Sequence, residues 1–173
     1  MDNQLLKRHA KNLIDETKIV SILEPFGMVK FTGSYAHDLM ALPDIDILVT
    51  CENPKEISYG KIIDLILKTD PFWMKLTDFT IAKPDPGFPA GTYLGLKYRR
   101  GELDWKIDIW FVGNSYKSEL DDDWFSELTE EQRSEIVRRK NELIAQGLYP
   151  IDKNNPNSVS SVDLYKNVKN SRS

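Results

Sequence analysis

The fold class is decided by residues 31–50, which read FTGSYAHDLMALPDIDILVT. At its start lies the end of a predicted strand, Met28–Thr32, which is followed by a turn at Gly33-Ser34. A short helix is expected after the turn, to about Met40. It ends in Asp44–Thr50, where apolar and β-branched residues predict a second strand. The pattern therefore indicates two strands joined by a glycine turn and a short helix.

The second of these strands carries two acids in alternation. Asp44 and Asp46 are two residues apart, so their carboxylates leave the strand from the same face, and Ile45 and Ile47 leave it toward the core. Two close carboxylates repel each other unless a cation lies between them, and their hard oxygens suit Mg²⁺. Taken alone, alternating acids are equally typical of the solvated face of an edge strand.

The Gly33-Ser34 turn has the residues of a phosphate cradle. A glycine lets the backbone approach a phosphate closely, and the start of a helix offers free N–H groups to an anion. The Ser34 hydroxyl adds a further donor. A plain strand-to-helix turn with a capping serine explains the same two residues when they are considered alone. Together with Asp44 and Asp46, however, the turn predicts a site for a nucleoside triphosphate and its metal.

A β-hairpin, Thr92–Tyr98 followed by Leu103–Val112, supplies a candidate third acid. Side chains alternate along a strand, so the second arm has an apolar face of Trp105, Ile107, Ile109 and Phe111. The opposite face carries Asp104, Lys106, Asp108 and Trp110. Asp108 is therefore a candidate metal ligand, and Lys106, which shares its face, is a candidate phosphate contact.

Gly33-Ser34 followed at this spacing by Asp44-Ile45-Asp46 resembles the DNA polymerase β-like nucleotidyltransferase superfamily, over roughly residues 3–112. The resemblance implies a nucleotidyltransferase fold in which Asp108 is the third carboxylate. It implies that Asp44, Asp46 and Asp108 bind Mg²⁺ or Mn²⁺ and are catalytic. The implied reaction moves a nucleoside monophosphate from a triphosphate, with ATP as the expected donor, to a small-molecule hydroxyl or a protein.

The size of the chain is closer to the minimal nucleotidyltransferases and the antibiotic-modifying adenylyltransferases than to the larger members. That superfamily also contains inactive relatives, so an inactive nucleotide-binding or protein-interaction module is the alternative.

Composition narrows the class of partner. The formal net charge is −4, from 23 Lys and Arg against 27 Asp and Glu, and a long nucleic acid is not expected because such ligands are held by clustered basic residues. Cys51 is the sole cysteine, which excludes an internal disulfide and suits a reducing cytoplasm. The N-terminus is charged and unlike a secretory signal, and no apolar run reaches the roughly 20 residues that span a bilayer.

The remaining elements follow from periodicity and capping residues. We predict one helix over residues 3–24, a helix from an Asn53 cap to Lys68, and a strand over Phe72–Ala82. Thr129-Glu130-Glu131-Gln132 predicts a capping box that opens a long helix. The expected organisation is an α/β core over residues 1–117, with a mixed sheet flanked by helices, and a helical segment over residues 118–173 packed on it.

Overall fold

Five strands form one mixed sheet in the computed structural model, which describes residues 2–68, 74–82, 89–152 and 154–171. The spatial order is β1-β2-β5-β4-β3, in which β2 and β5 are parallel and the other pairs are antiparallel. The strands are β1 (Met28–Thr32), β2 (Asp44–Cys51), β3 (Met74–Ala82), β4 (Gly91–Arg100) and β5 (Leu103–Gly113). The predicted fold class, a mixed sheet flanked by helices with a helical C-terminal segment, is confirmed.

The helices divide into those that precede or interrupt the sheet and those that follow it. The first group comprises α1 (Asn3–Thr17), α2 (Ile19–Leu23), a 3₁₀ turn at Glu24–Phe26, α3 (Gly33–Ala36) and α4 (Tyr59–Lys68). The second group comprises α5 (Asp122–Ser126), α6 (Glu130–Ala145) and α7 (Ser161–Asn170). No described helix is both long enough and apolar enough to cross a membrane.

One face of the sheet is buried under the first helices. Ile45 and Ile47 of β2 and Ile107 and Ile109 of β5 are almost fully buried, together with apolar residues of α1 and α2. Each such side chain contributes about 1.5–3 kcal/mol when it leaves water. Because side chains alternate along a strand, this burial directs the polar residues of β2 and β5 to the opposite face.

The N-terminal helix is interrupted, so the prediction of one helix over residues 3–24 was wrong. Lys18 adopts a left-handed conformation with φ of 53°, which ends α1 and starts α2 in a new direction. The hydroxyl of Thr17 donates to the Leu13 carbonyl at 2.8 Å just before the break. The change of direction lets α2 bury Ile19 and Leu23 in the same core as α1.

Two other boundaries differ from the prediction, and a third falls outside the described residues. The helix expected from Asn53 begins only at Tyr59, because the preceding segment forms a turn whose Pro54 carbonyl accepts a hydrogen bond from Thr92 on β4 at 2.6 Å. The helix expected to Met40 ends at Ala36, two residues before Asp38 with φ of 60°. The strand expected over Phe72–Ala82 is present from Met74, and residues 72–73 lie outside the described ones.

The C-terminal helices form a second apolar cluster and contact the core beside β1. Phe125, Ile136 and Leu164 pack together around Leu39, which precedes β2. The capping box at Thr129 is confirmed, since both reciprocal hydrogen bonds with Gln132 are present. At the junction, Arg133 donates to the His37 carbonyl at 2.8 Å, and Lys30 pairs with Asp122 at 2.5 Å.

Candidate functional site

The parallel register of β2 and β5 brings the three predicted acids together. Asp46 lies directly beside Asp108, and Asp44 lies directly beside Lys106. Each of the three carboxylates has an oxygen within 4.8 Å of an oxygen of the other two. Since β2 lies between β1 and β5, the interpretation of its acids as the solvated face of an edge strand was wrong. The structure thus gathers the acids on one interior patch of the sheet.

The acids share a desolvated environment that disfavours their charge. Burial is the main cause that raises the pKa of Asp44 to about 6 and the pKa of Asp46 to about 8. The nearby carboxylates add to both shifts, because close like charges disfavour ionisation. A divalent cation bound between the carboxylates would stabilise their charged forms and offset the repulsion between them. The electrostatics of the patch therefore suit a cation.

One oxygen of the patch has no partner. Asp44 Oδ1 is buried, and no described residue donates a hydrogen bond to it. A buried acceptor without a partner is costly, and few such atoms occur in native proteins. Carboxylate oxygens are the donors that Mg²⁺ and Mn²⁺ prefer. The orphaned oxygen and the all-oxygen donor set fit a hard divalent ion at this position.

Asp108 differs from Asp44 because both of its oxygens are engaged. The Tyr93 hydroxyl donates to Oδ1 at 2.9 Å, and the Lys106 ammonium donates to Oδ2. Burial alone would lower the pKa of Lys106, but the carboxylates of Asp44 and Asp108 outweigh it, so the pKa is raised. Lys106 therefore carries its positive charge in the middle of the acidic patch.

Gly33 lies against the acids in a conformation that requires glycine. Its φ is 62°, and a Cβ atom there would lie 2.1 Å from Asp46 Oδ2. Ser34 follows in the first turn of α3, where backbone N–H groups have no acceptor within the helix. The residue at the N-cap position is Thr32 and not Ser34, so the interpretation of Ser34 as a capping serine was wrong.

Two residues near the acids were missed by the sequence analysis. Lys140 of α6 is 1% exposed, and its ammonium donates to the Leu39 carbonyl at 2.8 Å and to the Tyr165 hydroxyl at 2.6 Å. Burial lowers the pKa of Lys140 to about 7, and the charges of Asp46 and Asp44 partly offset that effect. The sequence held one signal for the burial of Lys140. It lies four residues after the apolar Ile136, on the same face of its helix.

The second missed residue is Tyr93, which holds Asp108 and whose ring centroid lies 4.8 Å from that of Trp110. The signal for Tyr93 was the hairpin itself, because its register places Tyr93 opposite Trp110, on the polar face of β5.

A separate cleft of about 1220 Å³ lies between β1, α3 and the C-terminal helices. Lys30, His37, Asp122 and Arg133 are among its lining residues, whereas none of the three acids lines it. The ring of His37 stacks on Phe125 with centroids 3.7 Å apart, and burial lowers the pKa of His37. His37 thus packs at the junction, beside the turn that carries Gly33 and not among the acids.

No known protein family has a model that matches the chain, and a search of curated proteins finds no match.

Proposed function

We propose that the chain is a metal-dependent nucleotidyltransferase that transfers a nucleoside monophosphate from a nucleoside triphosphate, with ATP as the expected donor. The observation that carries the proposal is the convergence of Asp44, Asp46 and Asp108 from two adjacent strands. The resemblance of Gly33-Ser34 and Asp44-Ile45-Asp46 to the DNA polymerase β-like nucleotidyltransferase superfamily supports the same reaction.

The three acids and the Gly33 turn each have a role in this proposal. Asp44, Asp46 and Asp108 hold Mg²⁺ or Mn²⁺, and the close backbone at Gly33 together with Ser34 receives the phosphates. When bound, the metal would stabilise the negative charge that develops on the attacking and leaving oxygens. The acceptor oxygen bonds to the α-phosphorus, the bond to the pyrophosphate oxygen breaks, and Asp108 takes the acceptor's proton.

The acceptor in this proposal is a small molecule with a free hydroxyl or a protein side chain. The net charge of −4 disfavours a long nucleic acid, because binding many phosphates needs a concentration of basic residues. Lys30 and Arg99 are moreover already paired with Asp122 and Asp104, which further reduces the positive charge available to bind phosphates.

The proposal is tested by measuring pyrophosphate release from ATP with Mg²⁺ across candidate hydroxyl and protein acceptors. Binding of a non-hydrolysable ATP analogue is measured in parallel, with and without the metal. Asp108→Asn should abolish release, whereas Asp104→Asn, on the same face of β5 and paired with Arg99, should leave it unchanged. A protein that binds neither metal nor triphosphate at millimolar concentrations would disprove the proposal.

A second candidate function is a binding module without catalysis, and the engagement of both Asp108 oxygens favours it. In that case the protein binds metal and triphosphate through Asp44 and Asp46 but releases no pyrophosphate with any acceptor. Asp108→Asn would then leave binding and the cellular role intact.

Metal binding should depend on pH in the direction that the acids dictate. Metal ligands must be deprotonated, and the pKa values of Asp44 and Asp46 are about 6 and about 8. We therefore expect the Mn²⁺ affinity of the nucleotide-free protein to rise between about pH 6 and pH 8 and to level off above this range. Isothermal titration at several pH values measures the change, and a flat profile over this range would contradict a site built on these two acids.

A further inference from the structure

Lys106 occupies a position that the reaction as described does not explain. On the shared face of β2 and β5, Asp44 lies beside Lys106 and Asp46 lies beside Asp108, so the patch consists of three acids and one lysine. Opposite charges this close attract strongly when they are shielded from water. The patch therefore contains a cation that belongs to the chain itself.

The contacts show which acid this cation serves. The ammonium of Lys106 donates to Asp108 Oδ2, while the other oxygen of Asp108 accepts from Tyr93. Asp44, by contrast, keeps a buried oxygen without a described partner. Asp44 and Asp108 are thus unequal, because one oxygen of Asp44 has no described partner whereas both oxygens of Asp108 are paired.

Lys106 is built so that its head group can leave while its backbone stays fixed. Its backbone N–H donates to the carbonyl of Pro43, the residue before β2, at 2.9 Å. Its side chain is 50% exposed, whereas that of Asp108 is 13% exposed. Rotation of a half-exposed side chain requires no change in the sheet, and long lysine side chains adopt many rotamers.

We propose that Lys106 is the resident counter-cation of Asp108, which keeps this third acid from binding metal until the donor triphosphate draws the ammonium away. The inference rests on the proposed function, since it concerns the same acids. Lys106 acts as a positioning residue before the triphosphate binds and as a phosphate contact afterwards. The full set of metal ligands then forms only when a triphosphate is present, which limits unproductive metal binding.

The experiment measures Mn²⁺ binding by electron paramagnetic resonance on the nucleotide-free protein. Lys106→Met should increase the Mn²⁺ affinity roughly tenfold, because it frees Asp108 and removes a nearby positive charge. The matched control is Lys97→Met, since Lys97 is exposed and lies directly opposite Lys106 on β4. The control should leave Mn²⁺ affinity within about twofold of the wild type, since no described hydrogen bond joins Lys97 to the acids.

A double variant tests whether the gain in Mn²⁺ affinity comes from freeing the Asp108 carboxylate or only from removing the Lys106 charge. In Lys106→Met combined with Asp108→Asn, the gain in Mn²⁺ affinity should disappear. The affinity for a non-hydrolysable ATP analogue should also fall in Lys106→Met, because the loaded site loses a phosphate contact. A structural role alone would weaken Mn²⁺ binding and not strengthen it.

The outcomes distinguish this inference from the proposed function. If the wild type binds Mn²⁺ with the ATP analogue but Lys106→Met shows no gain without it, the counter-cation role is wrong and the proposed function stands. If no form of the protein binds Mn²⁺ under either condition, both are wrong.

Discussion

If the protein has the proposed function, Asp46→Asn is expected to lower nucleotidyl transfer by roughly 10³-fold, because the lost metal stabilisation of several kcal/mol acts directly on the barrier. The same substitution is expected to stabilise the metal-free protein. Asparagine keeps the shape of Asp46 but removes a charge that is shielded from water and close to Asp44 and Asp108. This combination of lost activity and increased stability is typical of a charged residue that serves function at the expense of stability.

The sign of the stability change follows from linkage. The pKa of Asp46 is raised from 3.8 to about 8, so the folded protein holds this proton in the range where the unfolded chain has released it. The free energy of unfolding of the metal-free protein therefore falls as the pH rises through that range. At pH 8 we expect Asp46→Asn to raise the free energy of unfolding by about 2 kcal/mol, which corresponds to roughly 5 °C in melting temperature. The gain is smaller than the full pKa shift of Asp46 alone would give, because the three acids titrate together.

The measurements are thermal unfolding of the metal-free protein at pH 5 and pH 8, with and without Mn²⁺. The stabilisation by Asp46→Asn should be larger at pH 8, and added Mn²⁺ should stabilise the wild type but not the variant. Asp104→Asn is the control, since this exposed acid pairs with Arg99 and its pKa is lowered, mainly by the hydrogen bond from that guanidinium. A variant that is destabilised at both pH values would indicate a structural role for Asp46.

The faces of the strands were predictable because they depend on local alternation. In β5 every second residue from Trp105 to Phe111 is apolar, and the structure buries all four of them. The same rule applied to β2 predicted that Asp44 and Asp46 point away from the core. Period-two patterning needs no knowledge of distant neighbours, which explains why this part of the site was accessible from the sequence.

The pairing of these strands was not accessible in the same way. The register that places Asp46 beside Asp108 joins segments separated by β3 and β4, and it depends on how the whole core packs. For the same reason Lys140 was missed, because its burial results from the docking of α6 against Leu39, a contact between distant parts of the chain. The break at Lys18 likewise reflects tertiary packing that overrides helix propensity.

Gly33→Ala is the glycine substitution that acts most directly on the three acids. A Cβ atom at residue 33 would lie 2.1 Å from Asp46 Oδ2 and 2.9 Å from its carboxyl carbon. Either the carboxylate rotates away or the turn moves back, and both changes remove Asp46 from the position where it faces Asp108. We expect transfer to fall by at least about 10²-fold, since misplacement of a catalytic group by about 1 Å has this effect.

Backbone strain adds to the effect of Gly33→Ala on stability, and a control variant separates it from the clash between the new Cβ atom and Asp46. Gly33 has φ of 62°, a conformation that costs an alanine roughly 1–2 kcal/mol. Gly101 has φ of 60° with no atom within 4 Å of its Cβ position, so Gly101→Ala carries the strain without the clash. Both variants should lose a similar amount of stability from the backbone, whereas Gly33→Ala alone should lose Mn²⁺ binding and transfer. Equal Mn²⁺ affinity in the two variants would mean that contact between Gly33 and Asp46 has no role in the site.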